Sequence, residues 1–190
     1  MVYNLRMIKY FRKIPELICD RLILRKITLS DAEDMYEYSS DVTLTEYLLW
    51  SPHPDIGFTR KYIRSLGRYY ARGEFYDWGI ELKESGKFIG TCGFASIDPE
   101  NRRAEIGYVI NNSYRGKGYA VEAARAVIRT GFYELNLNRI EARYMVGNSA
   151  SERVMRKLGM TYEGVCREEI FVKGKYRDIG HYALLRSDFI

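Results

Sequence analysis

The sequence predicts an α/β (α+β) fold, with a central mixed, mostly antiparallel sheet of about seven strands and helices on both faces. Three observations carry that expectation. Between residues 76 and 110, three strand-like segments are separated only by the turn-forming stretches Glu84-Ser-Gly-Lys87 and Asp98-Pro-Glu-Asn101, as in an antiparallel meander. A helix-periodic segment then stands between two strand-like segments, which calls for a parallel crossover. The last two strand-like stretches flank Lys173-Gly174, a hairpin signal.

In chain order, residues 22–27 read as a strand, and Ser30 offers an N-cap for a helix beginning Asp31-Ala-Glu-Asp34. Phe58, Tyr62, Ile63, Leu66, Tyr69 and Tyr70 recur at helical spacing until Gly73 stops them. Strands are expected at 76–82, 88–97 and 104–110. The chain then turns through residues 111–118 into a helix whose apolar positions include Ala120, Ala123, Ala124, Val127, Ile128 and Phe132. Residues 139–146 form the next strand, 147–149 lead into a short helix ending at Gly159, and 161–171 with 176–185 close the sheet. Ser149 and Glu152 spell a capping box for the short helix. No repeat, low-complexity tract or Pro/Gly linker divides the chain, so residues 1–190 read as one domain with 1–19 as an N-terminal extension.

At 190 residues and 46% hydrophobic content the chain can bury one substantial core. No apolar run approaches the roughly 20 residues that span a bilayer. Arg6, Lys9, Arg12 and Lys13 interrupt any secretory h-region, so a cytoplasmic location is expected. Cys19, Cys92 and Cys166 are odd in number and far apart, which suits reduced, buried residues better than disulfides or a metal knuckle. With His53 and His181 the only histidines, expected to be a loop and a strand residue, no metal site is expected. Thirty basic against 25 acidic residues give a net charge of +5, which favours anionic partners. No basic block resembles a nucleic-acid tail, so no direct nucleic-acid contact is expected.

The informative segment is Arg115-Gly116-Lys117-Gly118-Tyr119-Ala120, at a strand-to-helix turn. Glycines there let backbone N–H groups point at an anion, and the helix N-terminus adds about half a positive charge. A Walker A loop requires Ser or Thr after its Gly-Lys, whereas Gly118 is followed by Tyr119. A Rossmann fingerprint requires a glycine three residues after Gly118, where Val121 stands.

Arg115-x-x-Gly118-x-Ala120 resembles the acetyl-CoA pyrophosphate loop of the GNAT acetyltransferases, and the preceding order of elements is theirs. Asn148-Ser-Ala-Ser151 followed by Lys157-Leu-Gly-Met160 is similar to the signature of their ribosomal-protein N-acetyltransferase (RimJ/RimL-like) branch, as are the Trp50-Ser-Pro-His-Pro54 loop and residues 162–168. The resemblance covers about residues 20–189. It implies acetyl-CoA as cosubstrate, held by Tyr108, Val109 and Ile110 of the strand, by Arg115, Gly116, Lys117, Gly118, Tyr119 and Ala120 of the turn, and by the Asn148 amide. It implies no metal. The reaction implied is direct attack of a neutral amine on the thioester, with the oxyanion held by backbone N–H.

Deprotonating an α-amine of pKa near 8 costs about 1 kcal/mol at neutral pH, against about 4.6 kcal/mol for lysine. A modest base therefore suffices. Glu105 is the first candidate, or alternatively a strand carboxylate paired with Arg102 or Arg103. Glu168 and Glu169 compete for the role, although the position nearest the family's carboxylate holds Ile170. The family's proton-donating tyrosine, seven residues after the asparagine, is replaced by Met155, which leaves Ser151 as the nearest hydroxyl. Trp50 and its neighbours are expected either to cap the cleft or to pack as a loop. The acceptor is expected to be a protein N-terminal α-amine or a small amine (polyamine, amino acid or aminoglycoside), and the enzyme a monomer or homodimer. A catalytically silent ribosome- or RNA-binding module is the alternative of a different class.

Overall fold

The computed structural model describes residues 2–189. Its strands are β1 (Leu17–Ile18), β2 (Leu22–Arg25), β3 (Asp77–Leu82), β4 (Phe88–Asp98), β5 (Arg103–Ile110), β6 (Arg139–Met145), β7 (Thr161–Val172) and β8 (Lys175–Leu185). They form one sheet in the order β1-β2-β3-β4-β5-β6-β8-β7, antiparallel throughout except where β5 meets β6. The helices are α1 (Val2–Lys13), α2 (Ala32–Ser39), α3 (Val42–Thr45), α4 (Ile56–Arg72), α5 (Tyr119–Tyr133) and α6 (Ser149–Lys157). The expected meander, crossover and closing hairpin are all present.

The sheet has eight strands rather than seven, because residues 1–19 do more than extend the chain. Met7, Phe11 and Ile14 of the α1 region are buried. Phe11 packs edge-on against Tyr76 and Trp78, with ring centres 4.6 and 5.7 Å away. The Trp78 indole N–H donates to the Pro15 carbonyl at 2.8 Å, holding the turn into β1. At the end of α4, Gly73 (φ 73°) lies so close to the Ile8 carbonyl that any Cβ would collide with it.

Two capping expectations change. Ser30 does not cap α2; Thr28 and Asp31 instead form a capping box around a single 3₁₀ turn at Leu29–Asp31, which runs directly into the helix. Asp31 is drawn there because its buried carboxylate also accepts from both terminal nitrogens of Arg25, at 2.7 and 2.9 Å. For α4, Asp55 accepts from Phe58 N at 2.8 Å, a cap outside the expected apolar pattern. The cysteines are free, but only Cys92 is fully buried, and Cys166 is exposed on β7 rather than buried.

The feature that makes a site is the β5–β6 pairing. It is limited to Arg103↔Arg139, Ala104↔Ile140 and Glu105↔Glu141. Beyond Glu105 the two parallel strands separate, and residues 106–110 have no β6 partner. Their outward backbone groups therefore need partners from elsewhere.

Candidate active site

The splay opens into a cavity of about 1150 Å³. Residues 106–110 form its floor, α6 one wall, and residues 47–54 with α2 and α4 the other. All the residues expected to bind cofactor line it except Lys117, whose ammonium instead lies over the Tyr114 ring, 5.5 Å from its centre.

The glycine turn is built as its chemistry requires. Gly116 (φ 80°) and Gly118 (φ 84°) both sit in the left-handed region, and Gly118 is the N-cap of α5. Among the described residues no carboxylate ion-pairs with Arg115, which lines the cavity. Partial burial holds its guanidinium below the usual arginine range, as for a cation short of counter-charge. Arg21, which the sequence alone did not suggest, braces the turn from behind. It stacks over Tyr119 at 4.6 Å, ion-pairs with Glu122 at 2.7 Å and donates to the Lys117 carbonyl at 3.0 Å.

At the opposite wall, Gly147 (φ 102°) turns β6 into α6. The helix cap is Asn148, whose side-chain oxygen accepts from Ser151 N at 3.2 Å; Ser149 does not cap, and its hydroxyl accepts from Arg153. Asn148→Ala should therefore lower stability by about 1 kcal/mol and Ser149→Ala by only a few tenths, as measured by denaturant titration. Equal losses would mean that the cap is shared. Ser151 meets a partner that its sequence position did not suggest: its hydroxyl lies 3.0 Å from the Tyr108 hydroxyl, which also donates to the Ser151 carbonyl at 3.1 Å. Burial pushes the Tyr108 phenol well above its ordinary range, so it stays a protonated donor. Met155 is buried, and its thioether offers no proton.

The carboxylates are sorted as well. Glu105 faces the cavity and pairs with Arg143 at 2.6 Å, not with Arg102 or Arg103. Arg103 turns to Asp98 and Glu141 instead. Glu169 lies behind Arg143 at 3.3 Å and within 2.6 Å of His181. Burial works against its charge, but His181 and Arg143 outweigh it and hold the carboxyl below its ordinary value. Glu168 (φ 52°) sits in a bulge of β7, exposed and outside the cavity lining, whereas Ile170 lines it. Trp50, Pro52, His53 and Pro54 do line the cavity. One further carboxyl reaches it, that of Asp77 on β3, which the sequence reading did not single out.

The cavity is polarised. Among the described residues, Arg115, Arg153 and Lys157 line the end near the glycine turn and α6, while the acidic lining residues, Glu105 and Asp77, lie on the sheet face away from that turn, Glu105 paired there with Arg143. The arrangement suits an anionic nucleotide at one end and an amine at the other.

Residues 21–161 match the acetyltransferase (GNAT) domain family. The uncharacterized N-acetyltransferase p20 of Bacillus licheniformis is 38% identical over 91% of this chain and 97% of its own. The [ribosomal protein uS5]-alanine N-acetyltransferase of Escherichia coli K12 is 26% identical over 96% of this chain and 98% of its own. A crystal structure of a GNAT-family acetyltransferase from Bacillus anthracis superposes with a TM-score of 0.81, at 31% identity, covering 91% of this chain and 99% of that one. Among the described residues no helix is long and apolar enough to cross a membrane. With its strand splay, glycine turn and nearly full-length matches, the chain belongs to the GNAT acetyltransferases, in the branch that includes the ribosomal-protein N-acetyltransferases.

Proposed function

We propose that this acetyltransferase modifies a protein N-terminal α-amine, within a ternary complex with acetyl-CoA. The observation that carries the reading is the cavity itself. One opening joins the unpaired edge of β5, the glycine turn with Arg115, and a wall that carries the Glu105 and Asp77 carboxyls and residues 47–54. The relative named as a [ribosomal protein uS5]-alanine N-acetyltransferase, aligned over 96% of this chain, supports a protein acceptor.

Acetyl-CoA, when bound, supplies the acyl thioester. Arg115 and the N–H groups of residues 116–120 would hold its pyrophosphate, and Asn148 would bind its amide arm. The backbone N–H groups of residues 106–110 left free by β6 are donors for the carbonyl oxygen as it gains charge. Glu105, oriented by Arg143, takes the proton of the attacking ammonium directly or through one water. The Ser151 hydroxyl, held against Tyr108, would hydrogen-bond the departing sulfur, and a thiol pKa near 8.5 lets the thiolate leave without taking a proton from either hydroxyl.

The test is CoA release with peptides bearing free N-termini, the same peptides Nα-blocked but carrying lysine, and a set of polyamines, amino acids and aminoglycosides. Turnover is expected with the free N-termini and not with the blocked ones. Turnover confined to small amines would overturn the protein-acceptor reading. In the same assay Glu105→Gln should lower kcat about 100-fold while acetyl-CoA affinity stays within a few fold. Wild-type turnover in that variant would remove Glu105 from the mechanism.

A further inference from the structure

Asp77 opens β3 on the sheet face that lines the cavity, in a cross-strand row with Gly93 of β4 and Gly107 of β5. The two glycines put no side chain beside Asp77. At Gly93 the strands approach so closely that a Cβ would collide with the Tyr76 carbonyl oxygen, the Asp77 Cα and the Asp77 carboxyl, whereas Gly107 leaves room for one. Among the described residues no group hydrogen-bonds or ion-pairs with this carboxyl; the Asp77 backbone carbonyl accepts from the Tyr70 hydroxyl at 2.9 Å. A carboxylate in such a place lacks the partner that buried charges ordinarily have.

The surroundings suit a cation. Next to Asp77 stands Tyr62, whose hydroxyl is pushed up to about 12 by burial and by the Asp77 charge. The Tyr62 ring is 5.8 Å from that of His53, which in turn lies 5.5 Å from Trp50 and 4.9 Å from Phe58, and all four line the cavity. Aromatic faces beside a carboxylate attract ammonium and guanidinium groups. His53 does not compete as a cation. Its Nδ1 is engaged by the Ser39 and Thr59 hydroxyls at 2.9 and 2.8 Å, and burial lowers its pKa. Arg143, the cation on the same sheet face, is matched by Glu105 and Glu169.

Two strand spacings, about 10 Å, separate the backbone of β3 from that of β5. Asp77 therefore faces a part of the acceptor other than the amine attacking at the β5 edge. We propose that Asp77 and its aromatic wall bind a second cationic group of the acceptor, the basic side chain that follows an N-terminal residue or the distal ammonium of a diamine. This rests on the acetyltransferase reading and adds a charge preference to it. Burial pushes the Asp77 carboxyl up to about 7, and the groups facing it from α2, α4 and β4 (Tyr38, Tyr62, Tyr70 and Cys92) are all held protonated by burial. The empty site is thus about half ionised at pH 7 and becomes fully anionic as the cation enters.

The test compares peptides with lysine or norleucine at the second position, and a diamine with the monoamine of equal length. In at least one of these pairs the wild type should show a KM at least tenfold lower for the charged acceptor than for its neutral partner, with the gap widening from pH 6 to pH 8. Whichever pair shows the gap identifies the source of the cation. Asp77→Asn should raise KM for the charged acceptor at least tenfold more than for the neutral one, with a much smaller change in kcat, and Asp77→Glu should restore part of the preference. A wild type without charge preference, or an Asp77→Asn variant that lowers kcat on both acceptors alike, would overturn the proposal; the second result would make Asp77 a proton acceptor. Calorimetry with the diamine, without acetyl-CoA, decides the matter even if no turnover is found. Heat of binding in the wild type and none in Asp77→Asn upholds the site, and no binding to either refutes it.

Discussion

Arg115→Ala should weaken acetyl-CoA binding by about 10- to 100-fold, and Gly118→Val by at least as much. Among the described residues no carboxylate ion-pairs with Arg115, which lines the cavity at the glycine turn, and the attraction of nearby Asp41 does not offset its burial, so an arriving anion would supply the missing counter-charge. A charge-assisted hydrogen bond to phosphate contributes about 1.5–3 kcal/mol, which sets the range. Gly118 acts differently. A Cβ there meets nothing in the chain closer than the Arg21 guanidinium at 3.5 Å, so the fold itself has room for a side chain. At φ 84°, however, valine is strained, and its methyl groups would project where the turn's N–H groups must approach the pyrophosphate. Isothermal calorimetry with acetyl-CoA checks both variants, with the wild-type melting temperature in saturating acetyl-CoA as control. Affinities within threefold of wild type in both would place the pyrophosphate elsewhere in the cavity.

What could be read from the sequence follows from how local each signal is. The turn at Arg115–Ala120 was legible because glycine placement and helix initiation are short-range chemistry. The meander was legible because its turns are spelled by Gly, Pro, Asp and Asn. Arg21 was not, because it reaches its partners 96 and 101 positions away. The Tyr108–Ser151 contact spans 43 positions and depends on β5 and β6 separating after Glu105, which no periodicity announces. Asn148 and Ser149 are both cap-type residues, and the backbone turn at Gly147 decides between them. Met7, Phe11 and Ile14 do stand at helical spacing, but the aromatic partners of Phe11, Tyr76 and Trp78, lie far along the chain, so residues 1–19 read only as an extension. Asp77 is the extreme case. Its importance comes from two glycines on other strands that remove the side chains beside it.

Asp77→Asn should melt several degrees above wild type at pH 8 and at nearly the same temperature at pH 4. In the folded chain the carboxyl is raised to about 7 by burial, against about 3.9 in an unfolded chain. Below pH 4 both states carry the proton, so the group does not favour either. Between about pH 4 and 7 the unfolded chain gives up its proton while the folded chain keeps it. Folding stability then falls as pH rises, by up to about 1.4 kcal/mol per pH unit. Above pH 7 both states are ionised and the whole penalty is present, on the order of 2–4 kcal/mol with allowance for the cavity-facing edge of the carboxyl. Asparagine has nearly the same shape and no charge to lose, so its own unmet hydrogen bonds weigh equally at every pH. At roughly 2–4 °C per kcal/mol for a chain of this size, the difference should be readable by scanning calorimetry in matched buffers. A constant difference from pH 4 to pH 8 would mean that Asp77 titrates like an ordinary carboxylate. A saturating diamine at pH 8 should then narrow the gap from the wild-type side, because the cation supplies the missing counter-charge only where the carboxylate is present.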